Sequence, residues 1–164
     1  MRSGIAAQMT FLNEVDHLKT ISRANEILDG SRPENSAEHS WHLALWALIF
    51  APLAPANVKT ERVIRMLLLH DLVEIDAGDH PIHLKTDWDA VALAENAAAQ
   101  RIFGLLPNEM GDAFLRLWRE FEAAESVDAK FAKQLDVVQP LIQVAAATSA
   151  PPAHCAIARE NLAT

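Results

Sequence analysis

A histidine followed directly by an aspartate, His70-Asp71, closes the apolar run Leu67-Leu68-Leu69. An ionised carboxylate buried without a partner costs several kcal/mol, so Asp71 demands a cation, a hydrogen-bond donor or a metal ion. Neutral imidazole and carboxylate together make a suitable ligand pair for a divalent transition metal. Neighbouring positions on an α-helix point about 100° apart, so both reach one ion only where it lies between their directions. Further donors must then come from elsewhere in the chain. His39, in Glu38-His39-Ser40-Trp41, is one candidate; Asp136, in Leu135-Asp136-Val137-Val138, is a second carboxylate within an apolar run. His39, His70, Asp71 and Asp136 would give two imidazoles and two carboxylates, leaving an ion that prefers about six ligands with open positions for water and substrate. Taken singly, each has an ordinary explanation as a core or surface histidine, or as an aspartate paired with arginine or capping a helix. Together, and in this order on three helices, they point to a metal site.

The elements that must position these residues read as helical. Leu12, Val15, Leu18 and Ile21 place a first helix over Phe11–Leu28, stopped by Gly30. Ser36 is the expected N-cap of a second, running to about Phe50 and carrying His39 in its first turn. A third starts at Thr60 and continues through Val73, with His70 and Asp71 near its end. Residues 76–86 hold glycine, proline and polar groups and read as a loop. A fourth helix covers Trp88–Phe103. A fifth opens after Pro107 with Phe114, Leu117, Trp118 and Phe121 on one face, and a sixth, capped by Ser126, reaches Ala147 with Asp136 inside it. Pro140 should kink that last helix. The fold expected is all-α, with residues 1–9 a flexible arm and residues 10–164 a single domain.

Composition agrees and narrows the partners. The chain has 164 residues, 51% of them apolar and 22% charged, with 29 alanines, five glycines and no tyrosine. That balance favours helices over sheet and fits one folded domain. The net charge of −8 argues against a nucleic-acid polymer as partner. The most apolar stretch, residues 43–55, is shorter than the ~20 residues of a membrane-spanning helix and is closed by Pro52 and Pro55. One cysteine, Cys155, permits no intrachain disulfide. A cytoplasmic protein without a membrane partner is expected.

The stretches Arg32-Pro33-Glu34-Asn35-Ser36-Ala37-Glu38-His39-Ser40 and Leu69-His70-Asp71-Leu72-Val73-Glu74-Ile75-Asp76-Ala77-Gly78-Asp79 resemble the HD-domain phosphohydrolases. The branch they resemble holds the bacterial 5′-deoxynucleotidases and related HD-domain proteins of eukaryotes. Leu117 to Glu122 and Lys133 to Asp136 continue the likeness, which runs from about Phe11 to Ile142. The resemblance implies an HD-domain bundle of five to seven helices and a divalent metal (Mn, Co, Fe, Ni or Zn) on His39, His70, Asp71 and Asp136. It also implies hydrolysis of nucleoside 5′-monophosphates by a homodimer. By the same resemblance Glu74 is the catalytic acid, Arg23 a contact of the substrate phosphate, Asp79 a contact of the sugar and Lys85 a further substrate-binding residue. Glu74 is four positions after His70 and three after Asp71, hence over the same helix face. Ala24 departs from the pattern, because deoxynucleotidases carry tryptophan there, and Gln139 stands where relatives often have glutamate.

Five of the seven histidines fall between His39 and His83. A dinuclear-iron HD oxygenase would need extra ligands, for which His80 and His83 are the loop candidates. A non-catalytic nucleotide-binding module is the other alternative, and the intact ligand set argues against it. Asp76 reads as a group orienting a ligand histidine or as a loop cap. The four tryptophans read as core, and Glu120, Glu122, Glu125 and Asp128 as a solvated face.

Overall fold

The computed structural model describes residues 4–80 and 86–147. Helix α1 (Gly4–Val15) leads through a 3-10 turn over Asp16–Thr20 into a hairpin of β1 (Ser22–Glu26) and β2 (Pro33–Asn35). Then come α2 (Ser36–Phe50), α3 (Thr60–Leu69), a 3-10 turn over His70–Val73, α4 (Glu74–Ala77), α5 (Trp88–Phe103), α6 (Asn108–Ala123) and α7 (Val127–Ala146). Helix α3 packs against α2, α6 and α7, and α5 against α4 and α6. Val63, Met66 and Leu67 recur at the three-to-four spacing that keeps them on one helix face. They meet Leu43 and Ala47 of α2, Trp118 and Phe121 of α6 and Leu135 of α7 in one core. The helical class holds, and no helix among the described residues is long and apolar enough to cross a membrane.

The first helix differs most from expectation. Leu12, Val15, Leu18 and Ile21 recur at every third position, a spacing that stays on one face of a 3-10 helix and drifts around an α-helix. The chain accordingly leaves the α-helix at Val15, and the 3-10 turn ends at Thr20. No large apolar side chain follows Ile21 until Ile27, and Ser22–Glu26 alternates exposed and half-buried as an edge strand does. It pairs antiparallel with β2, Ser22 opposite Asn35 and Glu26 opposite Pro33, with an irregularity between them. Gly30, at φ +70°, turns the hairpin. Arg23 therefore stands on a strand and not on a helix. At the other end, residues 4–9 are the first turns of α1 instead of a loose arm, and Ala7 is buried.

Three smaller expectations change for local reasons. Pro140 lacks the amide hydrogen that would bond the Asp136 carbonyl, yet α7 runs on to Ala146 as one element. Of the tryptophans, Trp118 is buried and Trp46 half-buried, whereas Trp41, in the second turn of α2, and Trp88, the first residue of α5, are exposed. Asp128 is buried instead of solvated: it accepts the Lys59 amide hydrogen at 2.7 Å and lies beside Arg62, which also pairs with Glu120.

Asn35, and not Ser36, caps α2. Its side chain accepts the Glu38 amide hydrogen at 3.0 Å, and Glu38 accepts the Asn35 amide hydrogen at 3.2 Å, a reciprocal capping box. Asn35→Ala is expected to cost about 1 kcal/mol of stability, read as a lowered thermal midpoint in calorimetry.

Candidate metal centre

Three elements hold the four candidate ligands. His39 is the fourth residue of α2 and is fully buried. Helix α3 ends at Leu69, one residue before the His-Asp pair, which occupies the 3-10 turn and not a continued α-helix. Positions three apart eclipse in such a turn, so Asp71 and Glu74 face the same side. Trp118 Nε1 donates to the His70 carbonyl at 3.2 Å, and Phe121 presents its ring to the His70 ring at 5.0 Å. Asp136 enters from α7, with Oδ1 3.1 Å from His39 Nε2 and 3.5 Å from His70 Nε2.

One ligand atom from each of His39, His70 and Asp136 lies within 4.8 Å of the others, and this is the one such group among the described residues. Asp71 falls outside that tight group but touches it: Oδ1 is 3.0 Å from His70 Nε2, and Oδ2 accepts from Arg23 Nη1 at 3.1 Å. His70 Nδ1 lies 2.9 Å from the Leu67 carbonyl, which can only accept, so Nδ1 carries a hydrogen. His70 Nε2 is left buried and close to two carboxylates, yet aligned for a hydrogen bond with neither. An orphaned imidazole nitrogen facing carboxylate oxygens is the donor set a divalent transition ion takes.

Arg23 is the hub of the acidic side. Besides Asp71, it lies 3.8 Å from Glu74 and 3.6 Å from Asp79. Burial works against its cation, but Asp71, Glu74, Asp79 and Asp136 outweigh that and hold its pKa above the ordinary value. Burial likewise opposes charge on His70, and Asp71 and Asp136 push its pKa up to about 10. For Asp136 burial is overcome by its hydrogen bond with His39 and by the neighbouring His70, and its pKa stays well below the usual carboxylate range. Asp71 is lowered too, against burial, by His70, His39 and Arg23. Glu74 goes the other way: burial first, then the Asp71 charge, push it up to about 8, although Ser36 Oγ donates to its Oε2 at 2.5 Å. Carboxylates outnumber cations here, the imbalance a metal ion corrects.

The structure thus brings His39, His70, Asp71, Glu74, Arg23, Asp79 and Asp136 together. Gly78 makes the last turn possible: at φ +79° it ends α4, and its amide donates to the Glu74 carbonyl at 2.8 Å. Lys85 and His83 lie outside the described residues. His80 is exposed, 3.0 Å from the Ala77 carbonyl and apart from the ligand group. Asp76 is taken by Arg101, which donates to it at 2.5 and 2.7 Å and also to Glu14. Ser36, expected only as a helix cap, is a neighbour of the site through Glu74. The buried Gln139 amide lies 3.2 Å from His42 Nδ1 and donates to Gln143, which in turn donates to the Glu26 carbonyl and ties α7 to β1.

Comparison with known proteins points the same way. The model of the HD domain family matches residues 15–163. The human 5′-deoxynucleotidase HDDC2 is 28% identical over 141 residues, covering 85% of this chain and 68% of that protein. A 5′-deoxynucleotidase of Enterobacter sp. (strain 638) is 29% identical over 140 residues, covering 80% and 69%. The chain thus spans about two thirds of the length of these relatives. A crystal structure from Magnetospirillum magnetotacticum, described as a predicted metal-dependent phosphohydrolase, superposes with a TM-score of 0.82 at 50% identity, covering 87% of this chain and 73% of that one.

The cluster is expected to retain one divalent ion per chain in elemental analysis. His70→Ala and Asp136→Ala should each lose it, and metal content unchanged in both would place the ion elsewhere.

Proposed function

The chain belongs to the HD domain family, and on that premise we propose that it is a metal-dependent phosphomonoesterase converting nucleoside 5′-monophosphates to nucleoside and phosphate. The observation that carries this reading is the confluence, in one buried pocket, of the His39–His70–Asp136 group with Asp71, Arg23 and Glu74. The names of the human and Enterobacter relatives supply the substrate class.

His39, His70, Asp71 and Asp136 would hold the ion, which is Mn, Co, Fe, Ni or Zn. When bound, it supplies Lewis-acid polarisation of the phosphate and acidifies water. The remaining work falls to side chains. Arg23 offers a planar fork of donors to the phosphate oxygens, which take over from Asp71, Glu74 and Asp79 as partners of its charge. Glu74, raised towards neutrality and oriented by Ser36, exchanges a proton with the attacking water and the departing 5′-oxygen. Asp79, set beside Arg23 by the turn at Gly78, accepts a sugar hydroxyl hydrogen, and Lys85 adds a cation for the substrate. Ala24 follows Arg23 on β1 and is exposed, on the opposite face of the strand. A cytoplasmic homodimer is the assembly we favour. The exposed Trp41, Leu45, Leu48 and Ile49 on the outer face of α2 support a second copy as partner.

Phosphate release from a panel of ribo- and deoxynucleoside 5′-monophosphates, with each metal added in turn, tests the activity. Release that EDTA abolishes and metal restores is expected; no release from any nucleotide by the metal-loaded chain overturns it. Glu74→Gln should leave metal content intact and cut turnover by roughly 10²–10⁴, and an unchanged rate would remove Glu74 from the chemistry. Light scattering on the eluting peak should give twice the chain mass.

A further inference from the structure

Glu34 has no role in the chemistry above, yet it is among the most buried charged residues of the protein, at 3% exposure. It stands on β2, where the strand alternation turns its side chain inward while Pro33 is exposed. Its Oε2 lies 3.8 Å from His39 Nδ1 and 3.9 Å from Arg23 Nε. Each of these three atoms is buried and has no hydrogen-bond partner. Buried polar atoms are rarely left unpaired, and three that face one another across under 4 Å share one explanation. The two candidate histidine ligands differ here. The Leu67 carbonyl fixes the hydrogen of His70 on Nδ1 at 2.9 Å. His39 has no such carbonyl, and among the described residues Glu34 offers the one carboxylate beside its Nδ1.

We infer that Glu34 is a positioning residue: its carboxylate holds the hydrogen of His39 on Nδ1, freeing the Nε2 lone pair for the metal ion, and orients the Arg23 guanidinium through Nε. The inference rests on the metal-dependent reading of the site. A carboxylate behind a ligating imidazole fixes the tautomer and ring orientation and raises ligand basicity. Closing the gap to the usual hydrogen-bond length of about 2.9 Å needs a movement of about an ångström at the end of a flexible side chain. One carboxylate would thereby link the metal side of the pocket to its phosphate side. The hairpin accounts for the arrangement: pairing of β1 with β2 sets Arg23 beside Glu34, and the Asn35 cap then starts the helix that presents His39.

The test uses the full chain with Zn²⁺ as probe. In the wild type, ¹⁵N spectra of the Zn²⁺-loaded protein should show His39 protonated on Nδ1. Calorimetric titration should show Zn²⁺ affinity falling about 10–100-fold in Glu34→Ala. Glu34→Gln keeps an acceptor for the His39 hydrogen but loses the charge beside Arg23. It should recover most of the Zn²⁺ affinity while KM for the nucleotide stays raised. A merely structural role would lower the thermal midpoint of both variants and leave Zn²⁺ affinity at the wild-type value, which overturns the inference. A wild-type His39 unprotonated on Nδ1 overturns it as well, without recourse to any variant should Glu34→Ala fail to fold. Absence of Zn²⁺ binding by the wild type would instead sink the metal-dependent reading, and His39 unprotonated on Nδ1 in the metal-free chain would overturn the inference as well.

Discussion

Arg23 donates to Asp71 at 3.1 Å across 48 positions of chain, inside a pocket that also holds Glu34, Glu74 and Asp79 within 4 Å of the same guanidinium. Several buried carboxylates around a single arginine would be costly in any fold. Much of the architecture follows from having to gather and tolerate them. The arginine comes from a strand, the aspartate from a 3-10 turn, and Asp136 from the far helix. No single helix could present these groups to one point, because its side chains diverge by about 100° per residue.

The packed core lies behind this charge. Helix α3, wedged between α2, α6 and α7, ends where the site begins. Trp118 and Phe121 of α6 hold the backbone and ring of His70 from the core side. Ligand placement thus draws on the same contacts that stabilise the bundle, as a preorganised site requires. The acidic side is built differently, from the hairpin and from the turn at Gly78, where hydrogen bonds and ion pairs replace apolar packing. In the proposed reaction the substrate phosphate would replace these carboxylates as the partner of Arg23.

The positions of α2, α5, α6 and α7 were legible because apolar periodicity and terminal residues agree, as at Ser126 and Pro107. The region from Asp16 to Asn35 was not. A strict spacing of three imitates an α-helix in a short window, and the strand that follows has little apolar signal because it lies at an edge. The ligand types could be named in advance since a carboxylate in an apolar run is conspicuous by its cost. Glu34 gave no such warning: Pro33 and Asn35 beside it are ordinary loop residues, and only the pairing of β1 with β2 turns it inward.

Sequence alone determined the helical class, the residue types able to bind a divalent ion and the likeness to HD-domain phosphohydrolases, because periodicity, charge in apolar runs and motif order are properties of the linear chain. Tertiary structure alone decided which atoms meet. It placed Asp71 against Arg23, engaged Asp76 with Arg101 instead of the site, buried Asp128 under the Lys59 amide, and set Glu34 between His39 and Arg23. Those outcomes depend on distances between segments tens of residues apart, which are fixed by how helices and strands pack and not by what any one of them contains.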